Sequence, residues 1–403
     1  MLEKHNIGQI RKDYPLSIKE CDALLSERYG ERYRKGRIHA YILSGALDWR
    51  FIDGCIALEK RSVENAEKRC SELSSALSDD NQDSDLNLRD DNVAYMKEHG
   101  TRRARIRIRS TLRPLAGFSE KAWVNMPVPR MADSIESIKF ISASAGYAGV
   151  DDENALMRTA RFSKTLSEGD EFWIEFEYVI RSTLRELEPS ALPIDCEKNK
   201  EYLKEEGPHI IFTPYLKALA ERITKGIDSP SEKARAIYCW ITENVHYSYV
   251  REYGTIDNLS EYAAANLKGD CGIQALLFIT LSRISGIPAR WQSGWYVTPE
   301  GAFCHDWAEF FIPEYGWCFA DCSFGGGALR QGKTDRWKHY FASDDVFRMP
   351  ANNACCRRLT GKMRYPADPI DNQRGEIETE SRALSRDEME WKGEVLSFCF
   401  LED

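Results

Sequence analysis

Residues 268–290 read KGDCGIQALLFITLSRISGIPAR, and this stretch decides the fold. As a helix, Ile273, Leu276, Leu277, Phe278, Ile279, Leu281 and Ile284 leave it almost no polar face, so it belongs at the centre of a domain. Asp270 is placed to cap its first turn, and Gly286 followed by Ile287 and Pro288 ends it. Cys271 therefore opens a central helix, where unpaired backbone N–H groups and a macrodipole of about half a charge favour a thiolate. A small buried thiol can equally be filler, so the partners a nucleophile needs must be sought downstream.

Residues 302–324, AFCHDWAEFFIPEYGWCFADCSF, supply them. Two strand-like runs flank a turn around Pro313, Glu314, Tyr315 and Gly316, which predicts a hairpin. A register that sets His305 against Asp321 also sets Trp307 against Phe319 and Glu309 against Trp317. By alternation it sends His305 and Asp321 to one face and Asp306 to the other, so Asp321 is the expected orienter of the imidazole. Thiol, imidazole and orienting carboxylate at Cys271, His305 and Asp321 are the parts of a nucleophilic triad. Trp295 and Trp307 are candidates for the walls of a substrate cleft, although aromatic residues on strands more often fill a core. Cys304, His305, Cys318 and Cys322 lie close enough in sequence to suggest a soft-metal site. In this register the three cysteines face away from His305, so no metal and no cofactor are expected.

The combination GDCGIQALLFITLSRISGIPAR, HDWAEFFIPEYGW and FADCSFG resembles the transglutaminase-like superfamily of papain-fold cysteine enzymes. The resemblance spans about 230–325 and is silent for residues 1–100. It implies an α+β fold with a central helix packed on an antiparallel sheet, and a Cys271, His305, Asp321 triad. It also implies chemistry on amides through a thioester acyl-enzyme: peptidase or amidase hydrolysis, with acyl transfer to an amine or a noncatalytic binding scaffold as the alternatives. The tryptophan that assists the oxyanion in transglutaminases proper has no clear counterpart upstream of Cys271. Tyr247 and Tyr249, in VHYSYV, are the candidates for that donor. The cysteine pairs of the related zinc-bearing, glycan-removing amidases are missing.

Outward from this core, the period changes. In RRARIRIRS, residues 102–110, Ala104, Ile106 and Ile108 alternate with arginines, and similar runs continue to about residue 185. This predicts an antiparallel β-sandwich over 101–186, its arginines forming a solvated face. Residues 1–77 carry three- and four-residue apolar steps and are expected to be helical. SDDNQDSDLNLRDDN, residues 78–92, is expected to be an exposed acidic linker. The expected organisation is a helical region with its linker over 1–100, the sandwich over 101–186, and the catalytic domain with a C-terminal extension over 187–403. Within that domain, Ser229, Pro230 and Glu232 read as the capping box of a helix spanning about 230–246.

With 403 residues, two or three such units are expected. A formal charge of −9 argues against a nucleic-acid or anionic-membrane partner and leaves a peptide or small amide as the expected one. Twelve cysteines without regular spacing read as reduced thiols. With no secretory layout in MLEKHNIGQIRKDYPLS, they point to a cytoplasmic protein.

Overall fold

The helix Cys271–Ile284 is buried from Gly272 to Arg283 in the computed structural model. At about 1.5–3 kcal/mol for each large apolar side chain removed from water, it is the strongest single organiser of its core. Helices Pro214–Thr224, Pro230–Asn244 and Leu259–Asn266 pack around it. So does a sheet ordered Phe341–Ala342, Gly316–Ala320, Gly301–Ile312, Ala289–Thr298, Arg348–Asn352, antiparallel throughout. The structure describes residues 2–402 apart from 71–72, 74–79, 118, 190–191, 193, 195–196, 358 and 361–370. The stretch YPADPIDNQRG, residues 365–375, reads from sequence as loop-rich, and its first six residues lie outside the described ones.

The predicted hairpin is present with its register shifted by two. Ala308 faces Ala320, Glu309 faces Phe319 and Ile312 faces Gly316, closing on a turn of Pro313, Glu314 and Tyr315. A two-residue shift conserves the face to which each side chain points, so His305 and Asp321 still meet. Asp321 itself lies beyond the strand and caps helix Cys322–Arg330.

The long strands Ala289–Thr298 and Gly301–Ile312 serve two cores. Trp291, Trp307, Ala308, Phe310 and Ile312 pack with the central helix. Trp295, Tyr296, Val297 and Ala302 pack into the β-sandwich. His305 and Asp306 stand where the strand passes from one core to the other.

The sandwich is discontinuous in sequence, which corrects the expected boundary at 186. Its first sheet runs Met389–Leu401, Thr101–Pro114, Phe172–Thr183, Ile135–Ala143; its second runs Glu376–Thr379, Lys121–Pro127, Thr159–Thr165, Tyr147–Val150. The C-terminal segment thus supplies an edge strand to each sheet. Ala104, Ile106 and Ile108 are fully buried, and the alternating arginines meet glutamates across the strands: Arg103 with Glu136, Arg107 and Arg109 with Glu175.

Two further expectations fail. Residues 80–99 form one helix rather than a linker. It docks through Arg89, whose guanidinium lies over the rings of Tyr296 and Phe324 and donates to Tyr296 Oη at 3.0 Å. The N-terminal region, expected to be helical, also contains a three-stranded sheet: a hairpin, Trp49–Ile52 with Cys55–Leu58, turned by Asp53 and Gly54 at φ of 50° and 81°, with Leu16–Ser17 paired to its second strand. That region sits beside the central helix's start, with Asp48 3.4 Å from Lys268 and Asn65 bonded to both backbone groups of Tyr249. Helix Pro230–Asn244 forms as expected, but Ser229 bonds Ser231 and makes no capping box. Among the described residues no helix is long and apolar enough to cross a membrane.

Candidate active site

Asp270 caps the central helix, its Oδ1 accepting from the Ile273 N–H at 3.2 Å and from the Tyr253 hydroxyl. Cys271 follows, partly exposed, its thiol donating to Asp306 Oδ2 at 3.3 Å. Gly272 is required by space: a Cβ there would stand 2.6 Å from Tyr253 Oη and 2.9 Å from Asp306 Oδ2. The helix dipole does not decide the state of this sulfur. At an effective dielectric near 20, a carboxylate 3.3 Å away costs a thiolate ~5 kcal/mol, against at most ~2 gained from the dipole. Burial, then Asp306 and Asp270, accordingly push the thiol well above its ordinary pKa, contrary to the expectation from helix position alone. Burial together with Asp371 and Asp270 likewise raises the Asp306 carboxyl well above its usual range, while burial pushes Asp270 up to about 6.

His305, the residue before Asp306, points the other way. Its Nε2 meets Asp321 Oδ2 at 2.6 Å, and Phe324 stacks on the imidazole with ring centres 4.2 Å apart. Asp321 Oδ1 accepts from Ser323 Oγ and the Phe324 N–H, both at 2.9 Å, so one carboxylate orients the imidazole and caps a helix. Arg348, buried and unforeseen, brings Nη1 to 3.0 Å from Asp321 Oδ2 and forks onto both oxygens of Asp345 at 3.1 Å. Its Cζ lies 4.7 to 5.4 Å from the ring centres of Phe324, Phe319 and Trp307. Burial alone would raise the Asp321 carboxyl, but His305 and Arg348 hold it well below the usual carboxylate range. Burial, reinforced by Arg348 and Arg89 against the pull of Asp321, lowers the His305 pKa. With Nε2 committed to Asp321, Nδ1 is the remaining ring nitrogen, but among the described residues no hydrogen bond joins it to Cys271, whose thiol lies with Asp306 on the other face of the strand.

The remaining candidates divide. Tyr247 pairs its backbone with Gly269, two residues before Cys271, in a short parallel bridge. Tyr249 is turned toward the N-terminal region, the Arg61 guanidinium lying 3.1 Å from its ring centre. Trp295 and Trp307, expected as cleft walls, are 0% and 1% exposed and belong to the two cores. The Trp295 indole donates to Gln373 O, and Trp307 donates to Gln292 and borders a cavity of only about 50 Å³. Both are corrected to structural residues, because the sandwich and the strand crossing cover the face a cleft would need.

The wall of the site comes instead from the C-terminal segment. Gln373 Nε2 donates to Asp306 Oδ1 at 2.6 Å and to His305 O at 2.8 Å. Asp371 is tied down through its carbonyl by Ser293 and Asn352. Beyond them opens a cavity of about 300 Å³, lined by Gln373, Arg374, Arg386, Leu112, Leu384 and Trp391. None of these residues carries a local pattern that reasoning from sequence could have used.

Residues 217–322 match the model of the transglutaminase-like superfamily, a span that holds Cys271, His305 and Asp321. The chain thus carries a transglutaminase-like domain. YebA of Bacillus subtilis (strain 168), itself uncharacterized, is 27% identical over 123 residues, 25% of this chain and 16% of that protein. The chain therefore spans well under two thirds of that relative. Among solved structures, a candidate cysteine protease from Cytophaga hutchinsonii is similar at TM-score 0.48 and 15% identity, covering 74% of this chain and 91% of that one. The periplasmic domain of TgpA from Pseudomonas aeruginosa is similar at TM-score 0.32 and 16% identity, covering 57% and 91%.

Proposed function

We propose that the protein is a cysteine-dependent amide hydrolase of peptidase or amidase type. The reading is carried by one observation: a buried imidazole is fixed by a carboxylate at 2.6 Å, on the strand residue adjacent to the one a helix-start thiol touches. Asp321 holds the proton on Nε2, so that Nδ1 is the basic nitrogen. For the reaction the Cys271 side chain must leave Asp306 and reach His305 Nδ1, which takes its proton as sulfur attacks the amide carbonyl; the C–N bond breaks as the same proton passes to the departing amine. Backbone N–H groups at the helix start, with Tyr247 beside them, receive the oxyanion. Water then attacks the thioester, returning the acid and the free thiol.

Because the resting thiol keeps its proton, His305 acts as a general base during attack rather than as half of a standing ion pair. A peptide or small amide would enter by the 300 Å³ cavity beside Gln373. The eleven free cysteines among the described residues suit a reducing compartment such as the cytoplasm. The test is mass spectrometry of a diverse peptide and amide library incubated with wild type and with Cys271→Ala. Cleavage or deamidation present only with wild type is the expected result. Crosslinked amine products would move the reading to acyl transfer, and no Cys271-dependent change would end it.

A further inference from the structure

A second thiol and imidazole meet at the opposite end of the central helix, some 20 Å from Cys271 by the rise of its 14 residues. Cys355 and Cys356 are adjacent in sequence but unlike in setting: Cys355 is 5% exposed and packs in the helix core, whereas Cys356 is exposed with φ of 55°. Facing Cys356 is His209, itself 3% exposed. The Leu259 N–H reaches His209 Nδ1 at 3.4 Å, and Ser260 Oγ donates to the His209 carbonyl at 2.7 Å. A backbone donor on Nδ1 places the ring proton on Nε2, so the imidazole presents a donor to the sulfur. The Cys355 thiol and His209 together hold the Cys356 thiol below its ordinary value.

Glu206 anchors the surroundings, reaching Arg283 at 3.3 Å and Arg357 at 2.8 Å. Two thiols, one buried and one exposed beside a proton-donating imidazole, make an arrangement the amide chemistry does not use. It meets the requirements of a peroxide-reactive pair: an accessible nucleophilic sulfur with a resolving thiol next to it.

We propose that Cys355 and Cys356 form a redox-modification site whose oxidant is a hydroperoxide. The Cys356 thiolate attacks the outer peroxide oxygen, forming an S–O bond as the O–O bond breaks. The leaving oxygen takes a proton and departs as water or an alcohol. Cys355 then attacks the sulfenic sulfur, forming the S–S bond and releasing water. In total, two thiols give up two electrons and two protons to one peroxide.

The experiment uses the reduced full-length chain and stoichiometric hydrogen peroxide at pH 7, followed by alkylation, digestion and mass spectrometry. Cys55 and Cys399, also exposed, serve as internal references. Cys356 is expected to oxidise at least tenfold faster than either. Its peptide should then carry a 355–356 disulfide that a dithiol reductant reverses. In Cys355→Ser, Cys356 should accumulate as a sulfenic acid trapped by dimedone. His209→Gln should slow the reaction about tenfold. Since that buried variant can unfold, the wild-type alkylation rate of Cys356 against pH provides a second measure, with half-maximum expected below that of Cys55. Oxidation of Cys356 no faster than the references, or a sulfenic acid that never resolves onto Cys355, would overturn the proposal.

Discussion

Two buried aspartates flank His305, and their surroundings push their carboxyls in opposite directions. Asp321 is met by an imidazole and a guanidinium and stays ionised; Asp306 is met by a thiol, an amide and two further aspartates, and is driven toward its acid form. Depth does not separate them, since they are 1% and 3% exposed. What separates them is where the cations lie, because burial raises any carboxyl until a nearby positive charge outweighs it. The strand thus has a face that orients a base and a face that keeps a nucleophile protonated. A helix-start cysteine alone does not reveal its own protonation.

The largest effect expected is from Cys271→Ala, which removes the nucleophile on the Asp306 face. Turnover should vanish while the melting temperature stays within a few degrees, as a small side chain at a helix start contributes little packing. A large fall in melting temperature would instead make Cys271 a packing residue. Next comes Asp321→Asn. Asparagine can still cap the helix at Phe324, so the fold should persist, but it lets the imidazole carry its proton on the wrong nitrogen. The expected loss in kcat is about 10⁴-fold, and a rate near wild type would remove Asp321 from the mechanism.

Arg348→Met tests whether the cation makes the Asp321 face what it is. Removing one partner of a buried charge network typically costs about 3–5 kcal/mol, measurable by urea unfolding. It should also move the acid limb of kcat/KM upward, because Arg348 lowers the His305 pKa in the native protein. The sign follows: as pH falls, a base with a lowered pKa protonates late, and relieving that depression makes it protonate earlier. An unmoved limb would mean that burial alone sets the His305 value.

This network also marks the limit of what the chain's local patterns disclose. Helix Cys271–Ile284 was legible because its apolar residues leave no exposed face, and Asp270 stood at the capping position. Alternation assigned His305 and Asp321 to one side but not their register, since a two-residue slip conserves every face. Helix Asp80–His99 escaped because its apolar residues are few: the Arg89 guanidinium on two rings adds to the packing of Leu88, Val93 and Met96. Hairpin Trp49–Leu58 does carry a local signal, the turn pair Asp53-Gly54 between two short runs. Arg348, Gln373 and strand Met389–Leu401 are non-local: the last pairs with Thr101–Pro114 from the far end of the chain. No window of neighbouring residues contains such contacts.

The smallest and sharpest effect is expected on the other face. Asp306→Asn keeps the shape and an oxygen for Gln373 but removes the negative charge facing the thiol. The Cys271 pKa should fall, so its alkylation by iodoacetamide at pH 7.5 should speed up, about tenfold for each ~1.4 kcal/mol of repulsion that Asp306 exerts at that pH. The whole rate-against-pH curve should move toward lower pH with its plateau unchanged. If Asp306 already carries a proton at neutral pH, the charge is absent in wild type and the curve will not move below the pH where that proton leaves. A shift confined to alkaline pH would therefore assign the resting proton to the carboxyl, and one that extends through neutrality would assign it to the sulfur alone.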